Sequence, residues 1–158
     1  MTKYNVFLEL ACQLNRKLEI IPLLYGSLGL EQRLHRDLRA DDIDVLVPEI
    51  WLSNQWDNFA GFMQQQGFHL YDLHEHAFYR DRVSVAFASL ESLSDFAGIE
   101  IAKIPMVRYN KIQYLLLDLE DYRKVYTASS HDGYRKDKKN KDDVAKLRLI
   151  DMALRGSL

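Results

Sequence analysis

Two short hydrophobic segments constrain what this chain can fold into, because each contains or adjoins polar residues of a distinctive kind. The first run, residues 20–25, ends at Gly26 and Ser27, and the second, residues 42–47, is stopped by Pro48. Short apolar runs bounded by turn residues are typical of strands that are buried on both faces of a sheet. Proline ends such a strand because it has no N–H to donate to the ladder. The chain is therefore expected to contain two central strands.

The remaining segments alternate between helical and strand-like patterns. Apolar residues recur every three or four positions in several segments, as an amphipathic helix requires. The predicted helices cover residues 2–19, a short stretch within 28–40, 51–66, a short turn that Ser92 or Ser94 caps, 119–127 and 139–155. The predicted strands cover residues 76–80, 83–88 and 109–117, with a tight turn at Asp81 and Arg82. This order predicts an α/β (α+β) fold, with a mixed β-sheet flanked by helices in a single domain of residues 1–158.

Composition supports one domain and narrows the possible partners. The chain has 158 residues, 47% of them hydrophobic, which suits one sizeable core. A net charge of −2 gives no general attraction to DNA or to an anionic membrane. Cys12 is the single cysteine, so no internal disulfide can form. The sequence shows no secretory signal and no bilayer-spanning apolar stretch. We expect a cytoplasmic protein with neither DNA nor a membrane as partner.

Asp42 and Asp44 are the residues that point most directly to chemistry. Alternate residues of a strand project to the same face, so the two carboxylates are expected to lie about 7 Å apart at their Cβ atoms. Ionised side chains next to a buried strand are costly unless something pairs with them. Two carboxylates can bind Mg²⁺, which in turn holds nucleotide phosphates. The pair therefore predicts a metal site.

The turn formed by Gly26 and Ser27 suits phosphate binding. It lies at the end of one predicted strand and before a predicted helix. Glycine has no Cβ to obstruct a ligand, and the first backbone N–H groups of a helix are free to bind an anion. Together with the two aspartates, this turn predicts a nucleotide site.

These motifs resemble a known family. The sequences LLYGS and DDIDVLVP are similar to the signature of the nucleotidyltransferase superfamily, and KNKDDVAKL is similar to a helix start of its minimal, antitoxin-associated and aminoglycoside-type bacterial members. Lys139 and Asp143 match that second pattern, whereas Asn140 departs from it.

The resemblance implies a nucleotidyltransferase-like fold and a mechanism. A nucleoside monophosphate would pass from an NTP to an acceptor, which is a small molecule, an RNA or a protein. In this mechanism Asp42 and Asp44 bind Mg²⁺ or Mn²⁺, Gly26 and Ser27 hold phosphate, and Lys139 neutralises its charge.

Active members of the superfamily usually carry a third carboxylate on a strand beside the Asp-x-Asp strand. The expected counterpart, residues 83–88, contains no acid, with Ser84 and Ala86 on one face, and Glu91 lies beyond it. Two alternatives therefore stay open. The chain is a degenerate, non-catalytic module that binds a nucleotide or a protein partner, or it is an RNA-binding accessory domain that uses residues 135–141.

Overall fold

One mixed sheet with helices on both faces forms the framework of the computed structural model, which describes residues 1–131 and 138–157, without the side chains of residues 138–141. The helices are α1 (Lys3–Leu18), α2 (Gly26–Leu34), α3 (Trp56–Gln65), α4 (Ser92–Ala97), α5 (Leu119–Ser130) and α6 (Lys138–Leu154). The strands are β1 (Leu23–Tyr25), β2 (Ile43–Val47), β3 (His69–Asp72), β4 (Ala77–Arg80), β5 (Val83–Ser89), β6 (Met106–Tyr109) and β7 (Ile112–Leu116). In the described part of the chain, every helix is too short or too polar to traverse a lipid bilayer.

The strand order places the two predicted central strands in the middle of the sheet. The order is β3-β4-β5-β2-β1-β7-β6. Strands β1 and β2 pair antiparallel, while β1 pairs parallel with β7 and β2 pairs parallel with β5. The pairs β3–β4, β4–β5 and β6–β7 are antiparallel hairpins. The predicted mixed sheet is therefore confirmed, and β5 lies directly beside the Asp-x-Asp strand.

The two faces of β2 pack against different layers. Ile43, Val45 and Val47 point into a core formed with α1 and α3, whereas Leu46 joins the core of α2, α4, α5 and α6. Alternation along the strand puts Asp44 on the same face as Leu46. The aspartate thus lies on the side of the sheet that α5 and α6 cover.

Strand β1 is shorter than the predicted run of residues 20–25, because Ile20 takes part in the hydrogen bonding that ends α1. Glu19 has a positive φ of 54°, and the N–H of Ile20 donates to the carbonyl of Leu14 at 3.0 Å. This bond closes the helix end. The strand begins at Leu23, after Pro22.

The strand predicted over residues 109–117 is confirmed only over Ile112–Leu116, which form β7, and a further strand, β6, precedes it. Two strands, β6 and β7, meet at a turn in which Asn110 and Lys111 have φ values of 47° and 70°. Two successive residues with positive φ form the turn type that joins twisted antiparallel strands. Asn110 is a residue that favours this backbone, and the single strand predicted across it overlooked that signal. The same geometry at Asp81 and Arg82, with φ values of 49° and 68°, confirms the turn predicted there.

Candidate active site

The turn at Gly26 joins β1 directly to α2. Gly26 has a positive φ of 62° and is the first residue of the helix, with Ser27 next. The first N–H groups of a helix have no partner within it and carry the positive end of the helix dipole. The structure therefore places the predicted phosphate-binding turn at a helix N-terminus.

Gly26 also lies against Asp44 on the neighbouring strand. Tyr25 is the register partner of Asp44, and a Cβ built on Gly26 would overlap the Asp44 carboxylate. The close approach and the positive φ both require glycine at this position. The turn and the carboxylate form one local unit.

The two aspartates differ in their surroundings. Asp44 is half-buried within β2, whereas Asp42 precedes the strand and is exposed. Burial raises the pKa of Asp44 above its ordinary value, the charge of Asp42 raises that pKa further, and Lys146 opposes both effects. Both carboxylates line one cavity of about 600 Å³, into which Gly26 and Ser27 also face. The structure thus brings these four predicted site residues together.

Two tyrosines of α5, Tyr122 and Tyr126, contact the turn at Gly26 and Ser27. The Tyr122 hydroxyl donates to the Gly26 carbonyl oxygen at 3.2 Å, and the Tyr126 side chain is hydrogen-bonded to Ser27. Their rings stack with centroids 6.0 Å apart. Burial raises the pKa of both tyrosines. The phenols therefore stay neutral and hold the turn through hydrogen bonds.

Helix α6 contributes a cation and a buried acid. Lys146 lines the cavity, and its Nζ lies 5.2 Å from the centre of the Tyr126 ring. Asp143 is only 2% exposed, and its Oδ2 accepts a 2.7 Å hydrogen bond from the Ser129 hydroxyl on α5. This bond connects the two helices beside the cavity.

The side chain of Lys139, the predicted phosphate cation, lies outside the described residues, as do residues 135–137 of the basic segment. Lys146, whose side chain is described, follows Lys139 by seven positions in the sequence. Lys146 is itself part of the KNKDDVAKL motif, so its place in that motif could have identified it from the sequence.

Strand β5, which the structure describes in full, carries no acid at the positions that face the cavity. Ala86 is the register partner of Asp44, and Ser84 also lines the cavity. The carboxylate of Glu91 instead accepts hydrogen bonds of 3.1 and 3.3 Å from the N–H of Glu49, and it does not line the cavity. Among the side chains that the structure describes, no group of three or more His, Cys, Asp or Glu residues is arranged to hold a metal ion.

Two further acids line the same cavity, and the sequence did not single them out. Asp72 ends β3 and Glu75 lies in the turn that leads to β4. Nothing in the local pattern marked them, because they reach the cavity only through the pairing of β3 with β4 and of β4 with β5.

One known protein is similar to this chain in sequence over almost its whole length. No protein-family model matches the chain. The uncharacterized protein YnaI of Bacillus subtilis (strain 168) is 37% identical over 155 residues, which cover 98% of this chain and 99% of that protein.

Two solved structures share the arrangement of sheet and helices. The crystal structure of ANT(2″)-Ia in complex with adenylyl-2″-tobramycin has a TM-score of 0.56 and 13% identity, covering 97% of this chain and 90% of that one. An antigenic nucleotidyltransferase-like protein from Paracoccidioides brasiliensis has a TM-score of 0.64 and 16% identity, covering 92% and 73%. At these identities the likeness shows the fold, which is that of nucleotidyltransferases.

Proposed function

Because the chain belongs to the same family as YnaI of Bacillus subtilis and has the nucleotidyltransferase fold, we propose that it is a Mg²⁺-dependent nucleotidyltransferase. It transfers a nucleoside monophosphate from an NTP to an acceptor hydroxyl or phosphate. The observation that carries this proposal is the contact between the helix-starting Gly26 and the Asp44 carboxylate. That contact supports the proposal, because it brings the turn proposed to bind phosphate next to the acid proposed to bind the metal ion.

The donor groups suit Mg²⁺ or Mn²⁺. Asp42 and Asp44 supply hard carboxylate oxygens, and Mg²⁺ is commonly bound by one or two carboxylates together with substrate phosphates and water. A bound ion would supply charge neutralisation on the phosphates. A bound ion would also offset the effect of burial on the pKa of Asp44, because it would stabilise the ionised carboxylate.

The chain's own residues position the nucleotide. The free N–H groups at the start of α2 and the Ser27 hydroxyl bind phosphate oxygens. Lys146, which interacts electrostatically with Asp44, neutralises the charge that develops on the leaving pyrophosphate, and Lys139 is proposed as a second cation. Tyr122 and Tyr126 keep the turn in place during the reaction.

The acceptor is a small molecule, an RNA or a protein. ANT(2″)-Ia is solved with an adenylylated tobramycin, which makes tobramycin a reasonable first probe for the small-molecule class. With a single cysteine in 158 residues, the chain suits the reducing cytoplasm, where we place this activity.

A binding titration tests the first half of this proposal. ATP and Mg²⁺ are titrated by calorimetry into the wild type, Asp42→Asn and Asp44→Asn, with exposed Asp41→Asn as a matched control. We expect binding to the wild type and the control, and at least a tenfold loss in both site variants. A wild type that binds no ATP in the presence of Mg²⁺ would rule the proposal out.

A labelling experiment tests the second half. ATP labelled at its α-phosphate is incubated with Mn²⁺ and either tobramycin or water alone. Label in adenylylated tobramycin or in AMP, with release of pyrophosphate and loss in Asp44→Asn, supports transfer.

A second candidate function is a non-catalytic module that binds a nucleotide or a protein partner. Ala86 and Ser84 motivate it, because they occupy the β5 positions beside the aspartates where a third acid is expected. This candidate predicts ATP binding that depends on Asp44 without any release of pyrophosphate.

A further inference from the structure

One row of register partners runs from the candidate site to the edge of the sheet. Asp44 on β2 pairs with Ala86 on β5, and Ala86 pairs with Ala77 on β4. Ala77 in turn pairs with Asp72 on the edge strand β3. Partners on adjacent strands project to the same face, and all four residues line the cavity. Two small side chains thus form a floor between two carboxylates.

The edge strand β3 has an irregular pairing next to Asp72, and hydrogen bonds hold the strand in place there. The pairing of β3 with β4 shifts register between Leu70 and Asp72, and an irregularity of this kind re-aims a side chain. Asp72 Oδ1 accepts a 3.1 Å hydrogen bond from the N–H of Glu75, which uses one of the two carboxylate oxygens. The Tyr71 hydroxyl lies 2.6 Å from Ser84 Oγ. This contact ties the edge strand to β5, the neighbour of the Asp-x-Asp strand.

The length of the row suits an in-line transfer. Adjacent strands lie about 4.8 Å apart, so the Cα atoms of Asp44 and Asp72 are roughly 14 Å apart. A metal ion, an α-phosphate and an acceptor hydroxyl in sequence, with contacts of about 2 to 3.5 Å, span on the order of 10 Å between two carboxylates. The side chains of Asp44 and Asp72 extend over Ala86 and Ala77, and their length accounts for the difference between the distance of the Cα atoms and that of the carboxylates.

We propose that Asp72 is the catalytic base that accepts the proton of the acceptor hydroxyl, in place of the acid missing from β5. This inference rests on the proposed function. The acceptor oxygen forms a bond to the α-phosphorus while the bond from that phosphorus to the bridging oxygen of the β-phosphate breaks. Pyrophosphate leaves with the electron pair of the broken bond, and the hydroxyl proton passes to the Asp72 carboxylate. The missing acid is thus supplied from two strands further along the sheet.

The test compares Asp72→Asn with Asp72→Glu and with Asp81→Asn as control. Asparagine keeps the Oδ1 acceptor for Glu75 but cannot take the proton. Asp81 lies in the β4–β5 turn, where φ is positive and asparagine is well tolerated, and it does not line the cavity. The probe is ATP with Mn²⁺ in water, which serves as the acceptor hydroxyl. The readouts are the rate of pyrophosphate release, the affinity for ATP and the melting temperature.

We expect Asp72→Asn to release pyrophosphate about 10²- to 10⁴-fold more slowly. Its ATP affinity should stay within about twofold of the wild type, because Asp72 does not hold the nucleotide. Asp72→Glu should retain part of the rate and Asp81→Asn all of it. If the wild type releases pyrophosphate and Asp72→Asn releases it at the same rate, then the role of Asp72 is overturned while the proposed function stands. A wild type that binds ATP without releasing pyrophosphate overturns both this role and catalysis, and one that does not bind ATP overturns the proposed site itself.

Discussion

Gly26 lies so close to Asp44 that a methyl group on the glycine would overlap the aspartate carboxylate. The two residues lie on either side of the β1–β2 pairing, where Tyr25 is the register partner of Asp44. A phosphate held at the start of α2 and a metal ion held by Asp44 would consequently be neighbours. The glycine is therefore required both by the backbone and by the site.

Gly26→Ala is expected to damage stability and binding together. The substitution meets the Asp44 carboxylate and forces alanine to a φ of 62°. We expect a loss of about 1–3 kcal/mol in the free energy of unfolding, measured by urea denaturation, and loss of ATP binding in calorimetry. Gly61→Ala is the matched control, since Gly61 lies within α3 and a Cβ there meets nothing within 4 Å. Equal effects of the two substitutions would contradict this account.

The raised pKa of Asp44 predicts a stability that depends on pH. Burial favours protonated Asp44 in the folded state, so its contribution is complete below the unfolded pKa, about 3.9, and is lost as pH rises through the folded pKa. In EDTA, Asp44→Asn should melt at a higher temperature than the wild type at pH 7. This difference should disappear below about pH 4. Mg²⁺ with ATP should reverse the order at pH 7, since only the wild type gains from binding.

Calorimetric melting from pH 3 to pH 8 measures this effect. Asp41→Asn provides the control, because Asp41 is exposed and does not line the cavity. A lower melting temperature for Asp44→Asn at pH 7 in EDTA would show that another interaction of the carboxylate outweighs its burial.

Local patterns in the sequence sufficed for the centre of the fold. Apolar runs marked β1 and β2, and alternation placed Asp42 and Asp44 together at one cavity. The β6–β7 turn was missed because the strand pattern of residues 112–117 was extended back across Asn110 and Lys111, whose left-handed backbone the pairing of the two strands requires.

The part of the site that strand pairing and helix packing bring together could not be predicted from the sequence, for a different reason. Asp72 reaches the cavity through register relationships across β4 and β5, to which no short motif corresponds. Asp143 was recognised by its match to a family pattern, whereas its burial and its bond to Ser129 depend on the packing of α5 on α6.

Lys146→Met should weaken nucleotide binding. Lys146 lines the cavity and interacts electrostatically with Asp44, so its removal deletes a phosphate-neutralising charge. We expect a 10- to 100-fold loss of ATP affinity, from a charge-assisted contact of about 1.5–3 kcal/mol. Lys124→Met is the control, because Lys124 on α5 lies 3.9 Å from Asp121 at the surface. Equal ATP affinities of the two variants would remove Lys146 from the site.

Ser129→Ala should destabilise the contact between α5 and α6. It removes the 2.7 Å hydrogen bond to the Asp143 carboxylate, which is 2% exposed. Losing a donor to a buried charged group costs about 1–3 kcal/mol. Urea denaturation measures this loss, and Ser130→Ala, which removes a bond to a carbonyl within α5, serves as control. An unchanged midpoint for Ser129→Ala would show that other contacts of Asp143 suffice.

Ala86→Asp should strengthen metal binding by restoring an acid to β5. Ala86 is the register partner of Asp44, so a carboxylate there lies about 5 Å from it at the Cβ atoms and faces the same cavity. Without metal, the added charge should repel Asp44 and raise its pKa further, which lowers the melting temperature in EDTA at pH 7. With Mn²⁺, a third ligand should increase affinity about tenfold or more. Calorimetry with Mn²⁺ measures the gain, and isosteric, uncharged Ala86→Asn should show neither effect. If Ala86→Asp and Ala86→Asn bind Mn²⁺ equally, then the β5 position does not face the ion, and the place of Asp42 and Asp44 as its ligands must be revised.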